Sequence, residues 1–121
     1  MGYSIRHVTV DDSEAIAPLL TSLGYPNEPS SLRSRVAIIA KNPDAELLVA
    51  IEEYSSQIVG LLSLHFIPQL GVEGEVARIG FFVVDKKVRR AGVGKFLESH
   101  AEKLCNSRGC NRMVLLLASF N

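Results

Sequence analysis

The sequence predicts a mixed α/β fold: a mostly antiparallel sheet with helices on both faces. Three observations carry this. Two strand-like runs, residues 45–53 and 57–67, are joined by the short segment YSS, a spacing that suits a hairpin. The run VARIGFFVV at 76–84 is almost unbroken in its apolar character, so it suits a central strand that helices must cover on both sides. A helical periodicity at 92–107 then separates that run from a last apolar strand at 112–119. Strand, helix and strand in one sheet make a right-handed crossover, which predicts that 112–119 lies parallel to 76–84.

The elements follow in order. SIRHV, residues 4–8, alternates and forms a first strand. In VDDSEAIAPLLTSLG, Asp11 and Glu14 have capping-box spacing, Ile16, Leu19, Leu20 and Leu23 form an apolar stripe, and Gly24 ends the helix. YPNEPSS, residues 25–31, is a turn whose two prolines are excluded from a helix interior, and a second helix runs from Leu32 to Ala40. KNPD is a turn before the hairpin. In the last helix the recurring positions are Val93, Phe96, Leu97, His100, Ala101, Leu104 and Cys105, and SRGCN stops it.

The 121 residues suit a single domain, 1–121, with no linker or repeat. Thirteen basic residues balance thirteen acidic ones, so no chain-wide field draws in nucleic acid or an anionic membrane. The chain also has no Trp and no wide positive surface on which bases would stack. Cys105 and Cys110 have neither Cys-x-x-Cys spacing nor a histidine close in sequence, and a reduced, structural role is expected, with no metal. With no signal-like start and no apolar run near the roughly 18 residues of a span, a cytoplasmic protein without a membrane partner is expected. The sequence stops directly after an apolar strand. That ending predicts a partner chain, a swapped segment or a missing C-terminus; if the 121 residues are all there is, a second copy covers the sheet edge beside 113–119.

The segment DKKVRRAGVGKF, residues 85–96, places Lys86, Lys87, Arg89 and Arg90 before Gly92 and Gly94 at the start of a helix. Unpaired amides at a helix start point outward, and glycines let phosphate oxygens approach the backbone. A dinucleotide fingerprint fails, since residue 97 is Leu and seven residues separate Gly92 from the expected strand end at Val84. A Walker loop fails as well: residue 96 is Phe where Mg²⁺ needs a hydroxyl, and Arg89 stands where the first Gly should be. What remains is a local diphosphate site on an otherwise neutral chain.

Arg89-Arg90-Ala91-Gly92-Val93-Gly94, with Phe82-Val83-Val84 before it and the amphipathic helix after it, resembles the signature of the GCN5-related N-acetyltransferase (GNAT) superfamily. The order of elements matches over residues 4–119, without the last helix and strands usual in that fold. The resemblance implies acetyl-CoA as cosubstrate, with its pantetheine arm along Phe82, Val83 and Val84 and its diphosphate on Arg89, Arg90, Ala91, Gly92, Val93, Gly94 and Lys95. It implies transfer of an acetyl group to a small amine or peptide amine. LLSLHFIPQL also resembles the arm of small-substrate and aminoglycoside-type members. The position at which several histone-type members carry a general-base Glu holds Arg78, and the C-terminal Tyr that often acts as general acid is absent. A non-catalytic acyl-CoA-binding or regulatory protein is therefore the alternative.

Direct attack by a neutral amine needs a donor for the developing oxyanion, and the Phe82 backbone amide is the expected one. Glu75 and His65 are the candidates for removing the amine proton. The plainer role for Glu75 is a solvated loop carboxylate, and for His65 a structural histidine beside Ser63 and Leu61. Arg78 is expected on the face of Phe82 and Val84, where it must reach water, a carboxylate or a ligand. An internal ion pair comes first and substrate contact second. Tyr25 falls where the acceptor cleft is expected, bordered by 23–35 and 65–78. His7 and His100 are read as structural, and neither cysteine is placed to act as a nucleophile.

Overall fold

The computed structural model describes residues 2–115. Strands β1 (Tyr3–His7), β2 (Ala45–Glu52), β3 (Gln57–Pro68), β4 (Glu75–Val84) and β5 (Arg112–Leu115) form one sheet in the order β1-β2-β3-β4-β5. The first three junctions are antiparallel and β4–β5 is parallel, as the crossover rule requires. Helices α1 (Ser13–Ser22) and α2 (Pro29–Ala40) cover one face, and α3 (Val93–Arg108) covers the other. The expected continuation of the last strand through 116–119, and with it part of the edge expected to meet a partner, lies outside the described residues.

Local chemistry explains the differences from expectation. The first helix is not capped by an Asp11–Glu14 box. A 3₁₀ turn, Val10–Asp12, precedes it, and the Asp12 carboxylate accepts from the Thr9 amide at 2.7 Å and from the Arg6 guanidinium at 2.7 and 2.8 Å. The Arg6 hydrogen bond holds the Asp12 carboxyl below its ordinary value, against an opposing push from burial. The second helix begins three residues before Leu32, because Pro29 takes the first helical position, where its missing N–H costs nothing. In α3 the buried stripe is Val93, Leu97, Ala101 and Cys105, while Phe96 lies off it and is exposed.

Two apolar layers result. Leu48, Leu62, Leu64, Phe66, Ala77 and Ile79 meet α3, whereas Val49, Leu61 and Val83 meet α1 and α2. The α3 layer closes tightly over Gly60, where an added Cβ would stand 2.8 Å from Leu97 Cδ1.

The feature that positions the site is a β-bulge. Ser63 pairs with Phe81 but Leu64 pairs with Ile79, leaving Gly80 as the extra residue of β4. The bulge resets the alternation, so Ala77, Ile79, Phe82 and Val84 all pack on the α3 side. Phe81 and Val83 pack on the other, and Arg78 lines the cleft on their side. Arg78 therefore does not share a face with Phe82 and Val84, as strict period-two counting predicts.

Candidate functional site

The turn after β4 is a local construction. Asp85 accepts from the Lys87 amide at 2.9 Å, fixing a 3₁₀ turn over Lys86–Val88. The Arg89 amide then donates to Lys86 O and the Ala91 amide to Val88 O. Gly92 takes φ +85°, a left-handed conformation that glycine adopts without a Cβ penalty, and α3 starts at Val93. Among the described residues, the amides of Arg90, Gly92, Val93, Gly94 and Lys95 donate to no backbone carbonyl. Of the expected diphosphate donors, Arg89 and Ala91 have thus spent their amides within the turn, and the other five have not.

The surrounding cations are also uncommitted. Lys86, Lys87, Arg89, Arg90 and Lys95 are exposed, and none is in an ion pair among the described residues. A Cβ on Gly92 would meet nothing within 4 Å, so the space in front of the turn is open.

The β4 edge leads to this turn. The Phe81 amide donates to Ser63 Oγ at 2.9 Å and the Asp85 amide to Val59 O at 2.8 Å, so 81, 83 and 85 turn their backbone groups toward β3. By the two-residue period, those of Phe82 and Val84 turn to the opposite edge. The parallel partner on that edge is described only as far as Ile79↔Leu115. The chain thus aligns outward Phe82 and Val84 amides with a basic helix start. This arrangement fits an extended arm ending in a diphosphate.

On the other side of the bulge lies a cleft of about 440 Å³ between the sheet and helices α1 and α2. Tyr25 forms one wall and meets Phe81 edge to face, with ring centroids 5.2 Å apart. His65 and Arg78, directly opposite each other on β3 and β4, both line it. Burial, and secondarily the Arg78 charge, lowers the His65 pKa from 6.5, so its imidazole is neutral at pH 7. The expected internal ion pair of Arg78 is not formed with any described carboxylate.

Glu75 is not placed as a base. It is absent from the cleft lining, and its two oxygens accept from Arg108 Nε at 2.9 Å and Nη2 at 3.1 Å. Arg108 also binds Pro43 O and Asp44 and lies over the Phe66 ring at 4.2 Å, so Glu75 belongs to a clamp between α3 and the sheet. Cys110 carries a thiol pushed up to about 11, first by burial and then by Cys105, which leaves it protonated at neutral pH. Among the described residues no group of His, Cys, Asp or Glu is arranged to hold a metal ion, and no helix is long and apolar enough to cross a membrane.

Three polar cleft residues are not singled out by the sequence: Asn27, Arg35 and Ser63. Ser63 carried a usable signal, being the one hydroxyl in the apolar run QIVGLLSLHFI. Arg35 and Asn27, which hydrogen-bond each other, had none beyond falling within the segment expected to border the cleft.

The profile of the Acetyltransferase (GNAT) family matches residues 13–121. The chain belongs to this family. Among solved structures it is similar to a GNAT family acetyltransferase of Staphylococcus aureus, with 28% identity and a TM-score of 0.85 over 96% of this chain and 87% of that one. It is similar to a transcriptional regulator of Bacillus halodurans at 27% identity and TM-score 0.85, covering 95% and 81%. It shares its fold with glucosamine-6-phosphate N-acetyltransferase of Arabidopsis thaliana at 23% identity and TM-score 0.84, covering 96% and 82%. No curated protein matches it.

Proposed function

We propose that this GNAT family member is an N-acetyltransferase that uses acetyl-CoA and delivers the acetyl group to an amine held in the cleft beside His65. The observation that carries the reading is the continuity of outward Phe82 and Val84 amides with five amides and five cations around the start of α3 that have no backbone or ion-pair partner among the described residues. Family membership independently supports acetyl transfer.

When bound, acetyl-CoA supplies a thioester carbonyl whose C–S bond breaks as the C–N bond forms, the sulfur leaving with the electron pair and taking up a proton. The chain's part is to bind and orient. Backbone amides at Arg90 and Gly92–Lys95 hold the diphosphate at the positive end of α3, with Lys86, Lys87, Arg89 and Arg90 adding charge. The Phe82 amide, aimed out of the sheet edge, donates to the oxygen on which charge develops. A neutral imidazole at His65 takes the amine proton directly or through water. No side-chain nucleophile is required, in keeping with the protonated state of the Cys110 thiol.

The test is calorimetric titration with CoA followed by thiol release from acetyl-CoA across a panel of amines. Saturable CoA binding with turnover is expected; a folded chain that binds no CoA sinks the reading. The likeness to a transcriptional regulator favours a second reading, acyl-CoA binding without turnover. Saturable CoA binding with no thiol release from any amine would select it.

A further inference from the structure

The acceptor cleft carries charge of one sign. Among the described residues no Asp or Glu lines it, while Arg35 and Arg78 both do. Arg78 forms no ion pair with a described residue, and the partner of Arg35 is the uncharged Asn27. The Ser63 hydroxyl is engaged by the Phe81 amide. Apart from Tyr25 and His65 the remaining walls are apolar, with Ile16, Leu20, Val36 and Phe81 among them.

An amine arrives in water mainly as a cation. A polyamine, an aminoglycoside or a lysine side chain would bring further positive charge toward two guanidiniums with no carboxylate to offset it, a juxtaposition that interfaces use to reject wrong partners. An apolar amine that carries its own anionic group reverses that sign. Its body displaces water from the apolar walls, and its anion accepts the forked donors of an arginine.

Resting on the acetyl-transfer reading above, we propose that the acceptor is a zwitterionic amine with an apolar body, its carboxylate or phosphonate-like anion held by Arg78 with Arg35. Two guanidiniums without a described carboxylate beside them disfavour the aminoglycoside-type acceptors that the β3 resemblance implies.

The test compares molecules of one shape and different charge: phenylalanine and leucine, their amides, the corresponding plain amines, an aminophosphonate of the same body, and spermidine as a pure cation. Thiol release is expected to favour the zwitterions over their amides by about tenfold or more in kcat/KM. Carboxylate and phosphonate arms identify which anion is preferred. Arg78→Gln is expected to erase the preference while leaving CoA affinity unchanged; Arg78 is exposed, so its replacement spares the core. Amides, plain amines or spermidine used as well as zwitterions would overturn the proposal, as would a preference that survives in both Arg78→Gln and Arg35→Gln. A chain that binds CoA but neither binds nor acetylates any zwitterion would overturn it too. Calorimetric binding of N-acetylphenylalanine against its amide, without CoA, judges the cleft separately. If that preference stands while CoA fails to bind, the acetyl-transfer reading falls and the anion-selective cleft remains.

Discussion

Glu75, at the first position of β4, is held by Arg108, the last residue of α3, through two hydrogen bonds of 2.9 and 3.1 Å. A carboxylate at the start of a central strand reads equally well as a base or a brace, and this geometry makes it a brace. Arg108 cannot be deprotonated in the working range, and its Glu75 and Asp44 hydrogen bonds raise its pKa further. Glu75→Gln keeps the shape but loses the charge. The expected result is a destabilisation of about 1–2 kcal/mol in denaturant melts, since both partners are only partly exposed. The pH profile of acetyl transfer should keep its form; a vanished limb in this variant would restore Glu75 as the base.

His65 is expected to set the acidic limb. Its folded pKa lies below 6.5 through burial and then the Arg78 charge, so the proton-accepting form predominates at pH 7 and is lost as pH falls through the depressed value. The linkage has the same sign. An unfolded histidine takes up its proton first, so the contribution to stability is complete above pH 6.5 and shrinks below it. His65→Gln should lower kcat/KM by about 10²-fold or more and flatten the acidic limb. Arg78→Gln should move that limb upward toward 6.5, because one of the two causes of the shift is gone. An unchanged limb in His65→Gln assigns the residue to structure.

The legible and illegible parts of this chain divide along physical lines. Strand and helix order, the parallel β4–β5 pair and the glycine turn were readable because apolar period, caps and glycine placement are local properties. The Gly80 bulge was not: one inserted residue leaves the composition of VARIGFFVV unchanged while reversing which face Arg78 occupies. Long-range polar pairs were equally hidden. Arg108 and Glu75 are 33 residues apart, and no periodicity links them. The anion turn was legible in outline, but the sequence could not say that Arg89 and Ala91 would donate internally.

Gly60 tests the coupling of α3 to the sheet. A Cβ there would stand 2.8 Å from Leu97 Cδ1 and 3.3 Å from Val93 Cγ1, both side chains fully buried. Both neighbours must shift within the core to make room, so Gly60→Ala should destabilise by about 1–3 kcal/mol through overpacking. Val93 is the first residue of α3, so the displacement reaches the anion turn as well. CoA affinity is expected to fall along with stability, measured by melts and titration on the same preparation. Stability lost with CoA affinity intact would show that the turn holds its shape independently of the helix.

Gly92 and Gly94 separate backbone conformation from space. At Gly92 nothing stands within 4 Å of an added Cβ, but φ is +85°, so Gly92→Ala costs about 1 kcal/mol in strain while meeting no protein atom. Gly94 needs no left-handed conformation, and its Cβ would meet Val84 Cγ2 at 3.6 Å and Phe82 Cζ at 3.7 Å, ordinary contacts. Gly94→Ala should therefore fold with stability within about 0.5 kcal/mol of the parent, helped by the better helix propensity of alanine. The ligand separates the pair further. If the Gly92 amide donates to a diphosphate, relaxing the strain turns that amide away, and Gly92→Ala should weaken CoA about tenfold or more, whereas Gly92→Asn, which tolerates positive φ, should recover part of the loss. Titrations of CoA and of a dephosphorylated pantetheine arm complete the comparison. The Gly92 effect should appear with CoA and disappear with the arm alone; equal weakening of both would mean that Gly92 shapes the β4 edge and does not hold the diphosphate.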